Sequence, residues 1–162
     1  MKKRFVYILA SILLMVYSCV KRDTKNPVPK ISFHSFDAIN ENEAFLTISY
    51  SDGDGDIFVE KGTKEPNFFA WFYYKNENGE FVPFLERVSP IDTAMMSIPK
   101  IATLERPSEL SKNQPIKGQI RIHMITWRGD SKIKNFKYKM YMVDQKGNQS
   151  EEVMTPEIVV NF

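Results

Sequence analysis

Asp52, Asp54 and Asp56 alternate with Gly53 and Gly55 in the run Tyr50-Ser51-Asp52-Gly53-Asp54-Gly55-Asp56-Ile57. Glycine reaches positive φ at no steric cost, so such a run can curl and aim several oxygens at one point. Hard cations suit that arrangement: Ca²⁺ takes about six to eight oxygen ligands on a flexible frame. The spacing repeats the first three ligand positions of an EF-hand loop, and then the pattern fails. Ile57 stands where the sharp-turn glycine belongs, and Thr63 where the bidentate glutamate belongs. Two readings fit these residues. One is a Ca²⁺ loop completed by Glu60 or a backbone carbonyl, with Kd on the order of 10⁻⁴ to 10⁻³ M. The other is an Asp/Gly turn whose carboxylates cap backbone N–H groups and stay in water.

Other reactive groups are few. His34 and His123 are the only histidines, and neither has a second ligand at metal-binding spacing. Cys19 is the only cysteine, so no internal disulfide can form. No Ser-His-Asp, Cys-His or paired-carboxylate arrangement can be assembled, and the expectation is a protein that is not an enzyme. A metal-dependent hydrolase using the acidic loop is the one catalytic alternative. Phe68–Tyr74 is aromatic on both faces. Its residues Phe69, Trp71 and Tyr73 could stack on sugar rings; otherwise the segment is a central strand buried on both sides, with Trp71 as the large core aromatic. Arg128-Gly129-Asp130 reads as an adhesion tripeptide or, more simply, as a turn.

The elements that must position these residues are strands. Leu46, Ile48 and Tyr50 alternate with Phe45, Thr47 and Ser49. Ile120, Ile122 and Met124 alternate with Gln119, Arg121 and His123. Phe136, Tyr138, Met140 and Met142 alternate with Lys137, Lys139 and Tyr141. A period of two marks half-buried strands with one wet face. Further strands are expected at 31–36, 68–75, 80–84, 95–104 and 153–160, punctuated by the turn signals Asn76-Glu77-Asn78-Gly79, Arg128-Gly129-Asp130-Ser131 and Asp144-Gln145-Lys146-Gly147-Asn148. One short helical turn fits 104–110. Seven or eight short antiparallel strands in one domain, residues 31–162, predict an all-β, immunoglobulin-like β-sandwich without the Cys…Trp…Cys core of antibody domains. Residues 85–115 hold Pro90, Pro99, Pro107 and Pro115 and alternate poorly, as an edge strand with long loops does.

The N-terminus carries an address. Met1-Lys2-Lys3-Arg4 is basic, and an apolar run from Phe5 to Tyr17 has the length of a signal-peptide core rather than of a membrane span. The run ends at Val16-Tyr17-Ser18-Cys19. The formal net charge is +2, and residues 1–18 carry three bases and no acid. Without them the remainder is close to neutral, and nothing global favours nucleic acid. Residues 20–30 hold Pro27, Pro29 and mixed charge, and read as a flexible tether.

The segment ending at Cys19 resembles a bacterial lipoprotein signal. That resemblance implies cleavage of residues 1–18, a lipidated Cys19 carrying a diacylglyceryl group and an acyl chain such as palmitate, and a membrane partner through that lipid. With Ser97-Ile98-Pro99, Ile116-Lys117-Gly118-Gln119-Ile120, Val143–Ser150 and the acidic run behind it, most of the mature chain looks like a group of uncharacterised Bacteroidota-type lipoproteins. Those are similar to immunoglobulin-like or fibronectin-like sandwiches. This sequence departs from the group in having Phe58 where glycine is frequent. The resemblance implies a fold and a cell-envelope address, at the outer membrane, and no established activity. Asp92-Thr93-Ala94 looks like the short O-glycosylation signal of the same group, at Thr93. The functional expectation is therefore a non-catalytic, lipid-anchored envelope module that meets an envelope protein or a glycan, with Ca²⁺ as its candidate cofactor. The alternative is a glycan-binding module using residues 68–74.

Overall fold

The computed structural model describes residues 26–87 and 95–161; Cys19, the apolar run before it and Thr93 lie outside the described residues. Among the described residues eleven strands form: β1 (Lys30–Ala38), β2 (Glu43–Asp52), β3 (Phe68–Lys75), β4 (Phe81–Pro83), β5 (Glu86–Arg87), β6 (Met95–Met96), β7 (Lys100–Ala102), β8 (Ile116–Ile125), β9 (Asn135–Met142), β10 (Val153–Met154) and β11 (Ile158–Val159). One sheet has the order β1-β2-β8. The other has the order β10-β9-β3-β4, with β7 on β3 and β11 on β9, and β5 pairs with β6 apart from both. Every strand pairing is antiparallel. The protein is an all-β, immunoglobulin-like sandwich, and no described residue is helical.

The strands exceed the expected eight because prolines cut two of them and because β5 forms in the Pro-rich stretch where no strand was expected. Pro99 separates β6 from β7, and Pro156 separates β10 from β11. Proline has no N–H to give to a ladder, so pairing stops and resumes. The helical turn expected at 104–110 is reduced to one turn bond, from Leu110 N to Pro107 O at 3.1 Å.

Period-two alternation builds the core. Ala44, Leu46, Ile48 and Tyr50 of β2 and Ile122 and Met124 of β8 face Phe68, Ala70 and Phe72 of β3 and Phe136, Tyr138, Met140 and Met142 of β9. Because alternate residues of β3 point inward, Trp71 faces outward and is only half-buried. Trp127, just past β8, is the large core aromatic instead, with 0% of its surface exposed. Its Nε1 donates to Asn40 O at 3.0 Å, and its ring packs edge-on to Phe36, with centroids 5.3 Å apart. A buried indole N–H needs such an acceptor, and this one staples the β1–β2 turn to the core.

The strand registers fix which loops share an end. Lys30 lies opposite Ser51, Asp52 opposite Ile116, and Phe68 opposite Met142. The acidic run, the chain entering β1 and the turn after β9 therefore meet at one pole. The β3–β4 hairpin, whose Asn76 Oδ1 accepts from Asn78 N and Glu80 N, lies at the other.

Candidate metal centre

β2 delivers Asp52 to the acidic pole with 3% of its surface exposed. Its Oδ2 accepts from the backbone N–H of Asp56 at 2.7 Å and of Ile57 at 2.9 Å. These two bonds fold the run back on itself, and the glycines permit it. A Cβ on Gly53 would lie 2.2 Å from Asn26 O, and one on Gly55, whose φ is +78°, would lie 2.2 Å from Gln114 O. Ile57 and Phe58 then drop into the core, where Phe58 packs against Tyr50 with centroids 5.2 Å apart. Phe58 thus fills core space that glycine would leave empty.

The outcome is a carboxylate cluster. One ligand atom from each of Asp52, Asp54 and Asp56 lies within 4.8 Å of the others, a grouping able to hold a metal ion. Each aspartate also keeps a solvent-shielded Oδ1 with no hydrogen-bond partner. A shielded, unpartnered carboxylate oxygen is costly unless a cation reaches it. The cation present is Lys146, whose Nζ lies 2.5 Å from Asp54 Oδ2 and 2.9 Å from Asp56 Oδ2.

Burial and pairing pull these groups in different directions. Burial raises Asp52 above its ordinary carboxylate value, against the bond from Ile57 N–H. Burial also raises Asp56, against the bond from Lys146. The Lys146 hydrogen bond lowers Asp54, and the bonds to Asp54 and Asp56 raise the Lys146 ammonium.

Distant segments frame the cluster. Gly53 N donates to Asn26 O at 3.1 Å, and Gln145 N to Asp56 O at 3.1 Å. Arg106 Nη2 donates to Gly55 O at 2.7 Å. Asn67, 3% exposed, donates from Nδ2 to Ile57 O at 2.9 Å and accepts at Oδ1 from Leu104 N at 2.7 Å. Asp144 shapes the turn that carries Lys146, accepting at Oδ1 from Lys146 N at 2.9 Å and Asn148 N at 2.8 Å. The end of the expected tether is also part of this frame, since Pro29 is fully buried and Asn26 is clasped by Gly53.

The structure brings together three of the four expected ligands. Glu60 stays apart: its Oε1 lies 2.8 Å from Lys112 Nζ and 3.9 Å from Arg106 Nε. Sequence reasoning missed Lys146, Arg106 and Asn67 as parts of the site. The only local signal for any of them was the turn Asp144–Asn148, which announced a turn and not a partner for the acidic run.

Phe69, Trp71 and Tyr73 share the outer face of the second sheet and are half-buried. Phe69 stacks on Tyr141 of β9, with centroids 5.0 Å apart, and Trp71 lies tilted against the same ring at 5.4 Å. The rings therefore turn their faces largely toward one another. Lys139 Nζ lies 6.0 Å from the Trp71 centroid and pairs with Glu152 at 3.2 Å. His34 sits at a bulge in β1 beside Gln119, and His123 pairs with Glu43 at 2.7 Å. The Arg128-Gly129-Asp130 turn has its arginine side chain buried against Trp127, 3.5 Å from Glu41. It does not present the arginine an adhesion motif needs.

Compared with known proteins, the chain matches no family model, no curated protein and no solved structure. Among the described residues, no helix is long and apolar enough to cross a membrane.

Proposed function

We propose that this protein is a non-catalytic, lipid-anchored module of the cell envelope whose acidic loop binds Ca²⁺ and stiffens one pole of the sandwich. The observation that carries the calcium reading is the convergence of Asp52, Asp54 and Asp56 with shielded, unpartnered oxygens. Carboxylates on a glycine loop favour a hard, oxygen-loving cation of flexible coordination, which is Ca²⁺ rather than Zn²⁺ or Mg²⁺. The described chain supplies no imidazole or thiolate to the cluster, and the amine beside it is held in its charged form, unfit as a general base. That favours a structural over a catalytic ion. The anchor rests on the signal-like segment ending at Cys19, with attachment at the outer membrane.

Asn26 docks on Gly53, so an anchor at Cys19 holds the calcium pole toward the bilayer and leaves the far pole and the outer sheet faces for an envelope partner. The glycan reading draws on the outer aromatic strip of Phe69, Trp71 and Tyr73, but packing against Tyr141 covers part of the Phe69 and Trp71 ring faces that a sugar would use. Calcium titration by calorimetry of the chain from Val20, with parallel thermal melts and Asp54→Ala and Asp56→Ala controls, tests the ion. Saturable binding that raises the melting temperature and is lost in the controls supports the reading; no heat and no shift up to millimolar Ca²⁺ rejects it. Incorporation of labelled palmitate in a bacterial host, lost in Cys19→Ser, tests the anchor.

A further inference from the structure

We infer that Lys146 is a built-in, displaceable counter-ion that occupies the place of the metal and sets the cation affinity of the acidic loop. This rests on the calcium reading above and assigns a role to a residue outside the acidic run.

The geometry is specific. The Lys146 ammonium contacts Oδ2 of both Asp54 and Asp56, while Asp52 spends its own Oδ2 on the backbone of Asp56 and Ile57. Asp52 and Asp56 are 3% and 8% exposed, and each holds a shielded Oδ1 with no partner. One ammonium among three carboxylates leaves two negative charges uncompensated. Asp144 and Arg106 in the frame add one charge of each sign, and Glu60 and Lys112 beyond Arg106 pair with each other, so that balance is unchanged. A divalent cation matches the deficit, and the lysine alone does not.

Lys146 is also built to leave. Its side chain is 61% exposed, so only its head is held. The turn beneath it is held without that side chain, through Asp144 Oδ1, through Gln145 N to Asp56 O, and through Gly147 at φ +85°. Withdrawing the ammonium into water breaks two ion pairs and no backbone bond. The arriving cation takes over Asp54 and Asp56 and gains Asp52. Because the ammonium competes for the same oxygens, the wild-type site binds Ca²⁺ weakly and answers to changes in ambient calcium rather than staying permanently filled.

The test compares full-length wild type, Lys146→Met and Lys146→Arg, purified in detergent and stripped with EDTA, by Ca²⁺ calorimetry and thermal melts. Lys146→Gln replaces Lys146→Met if the latter fails to fold. Removing one competing charge a few ångströms from the ion is expected to tighten Ca²⁺ binding by about tenfold or more, while Lys146→Arg, which keeps the charge, stays near wild type. The neutral variant should also melt lower than wild type in EDTA and regain the difference in Ca²⁺. Equal affinity in wild type and neutral variant overturns the counter-ion role and leaves the calcium site standing. Binding only in the neutral variant supports Lys146 as an occluding cation and rejects calcium as the native ligand. No binding in any folded variant rejects both.

Discussion

The phenol of Tyr138 donates to the main-chain carbonyl of Trp127, joining the middle of β9 to the chain just past β8 inside the core. Tyr138 is fully buried, and burial pushes its ionisation well above the ordinary tyrosine value, so it remains a neutral donor. The bond works like the tyrosine corner of immunoglobulin-like domains, tying β9 to the connection that crosses to it from the other sheet. Tyr138→Phe keeps the ring and strands the carbonyl. Urea unfolding should show a loss of about 1–3 kcal/mol, with Ca²⁺ affinity unchanged.

The two tryptophans should behave as opposites. Trp127→Ala empties a site with no solvent exposure and should cost about 3–5 kcal/mol in chemical unfolding. Trp71→Ala removes a half-buried ring from the outer face and should cost markedly less. Equal losses would place the core elsewhere.

Gly53→Ala should loosen the entry of the chain. Its Cβ would meet Asn26 O at 2.2 Å, so the bond from residue 53 N to Asn26 O has to break. Hydrogen exchange should speed up at residues 26–31 and stay slow along β9. An unchanged exchange pattern would show that Asn26 does not hold the tether.

Acid should separate the ion from the fold. Burial raises Asp52 and Asp56 above the ordinary value of 3.8, so the folded state binds more protons than the unfolded one just above that value. Their contribution to metal-free stability therefore rises as pH falls through their folded values. Asp54, lowered by Lys146, acts oppositely: its contribution is present above 3.8 and is lost as pH falls through its folded value. Calcium needs all three ionised, so the melting-temperature gain given by Ca²⁺ should shrink as pH falls from neutral toward the raised values of Asp52 and Asp56. A gain independent of pH would place the ion on other ligands.

The strands were legible wherever one face stays wet. β8 and β9 alternate because each puts one face in the core and the other outward, and β2 does the same apart from Thr47, which is buried on the outer face. Trp127 was not legible, because Thr126 at φ 52° turns the chain out of the β8 alternation and swings the next residue inward. The acidic run announced its own chemistry, since its ligands are neighbours in sequence. Its partner did not: Lys146 and Asp54 are separated by 92 positions and meet only because the turn after β9 and the loop after β2, in different sheets, share one pole. Glu60 was the nearest acid in sequence, and the turn at 60–63 carries it to Lys112 instead.

The described body begins at the acidic pole, where Lys30 lies opposite Ser51, and its last strand runs to the far pole, where Ile158 lies opposite Phe136. Its two chain ends therefore leave from opposite poles, and a pull between them runs along the strands. Antiparallel ladder bonds lie across that direction. The bonds between β1 and β2 are then loaded together in shear, instead of being peeled pair by pair from one end.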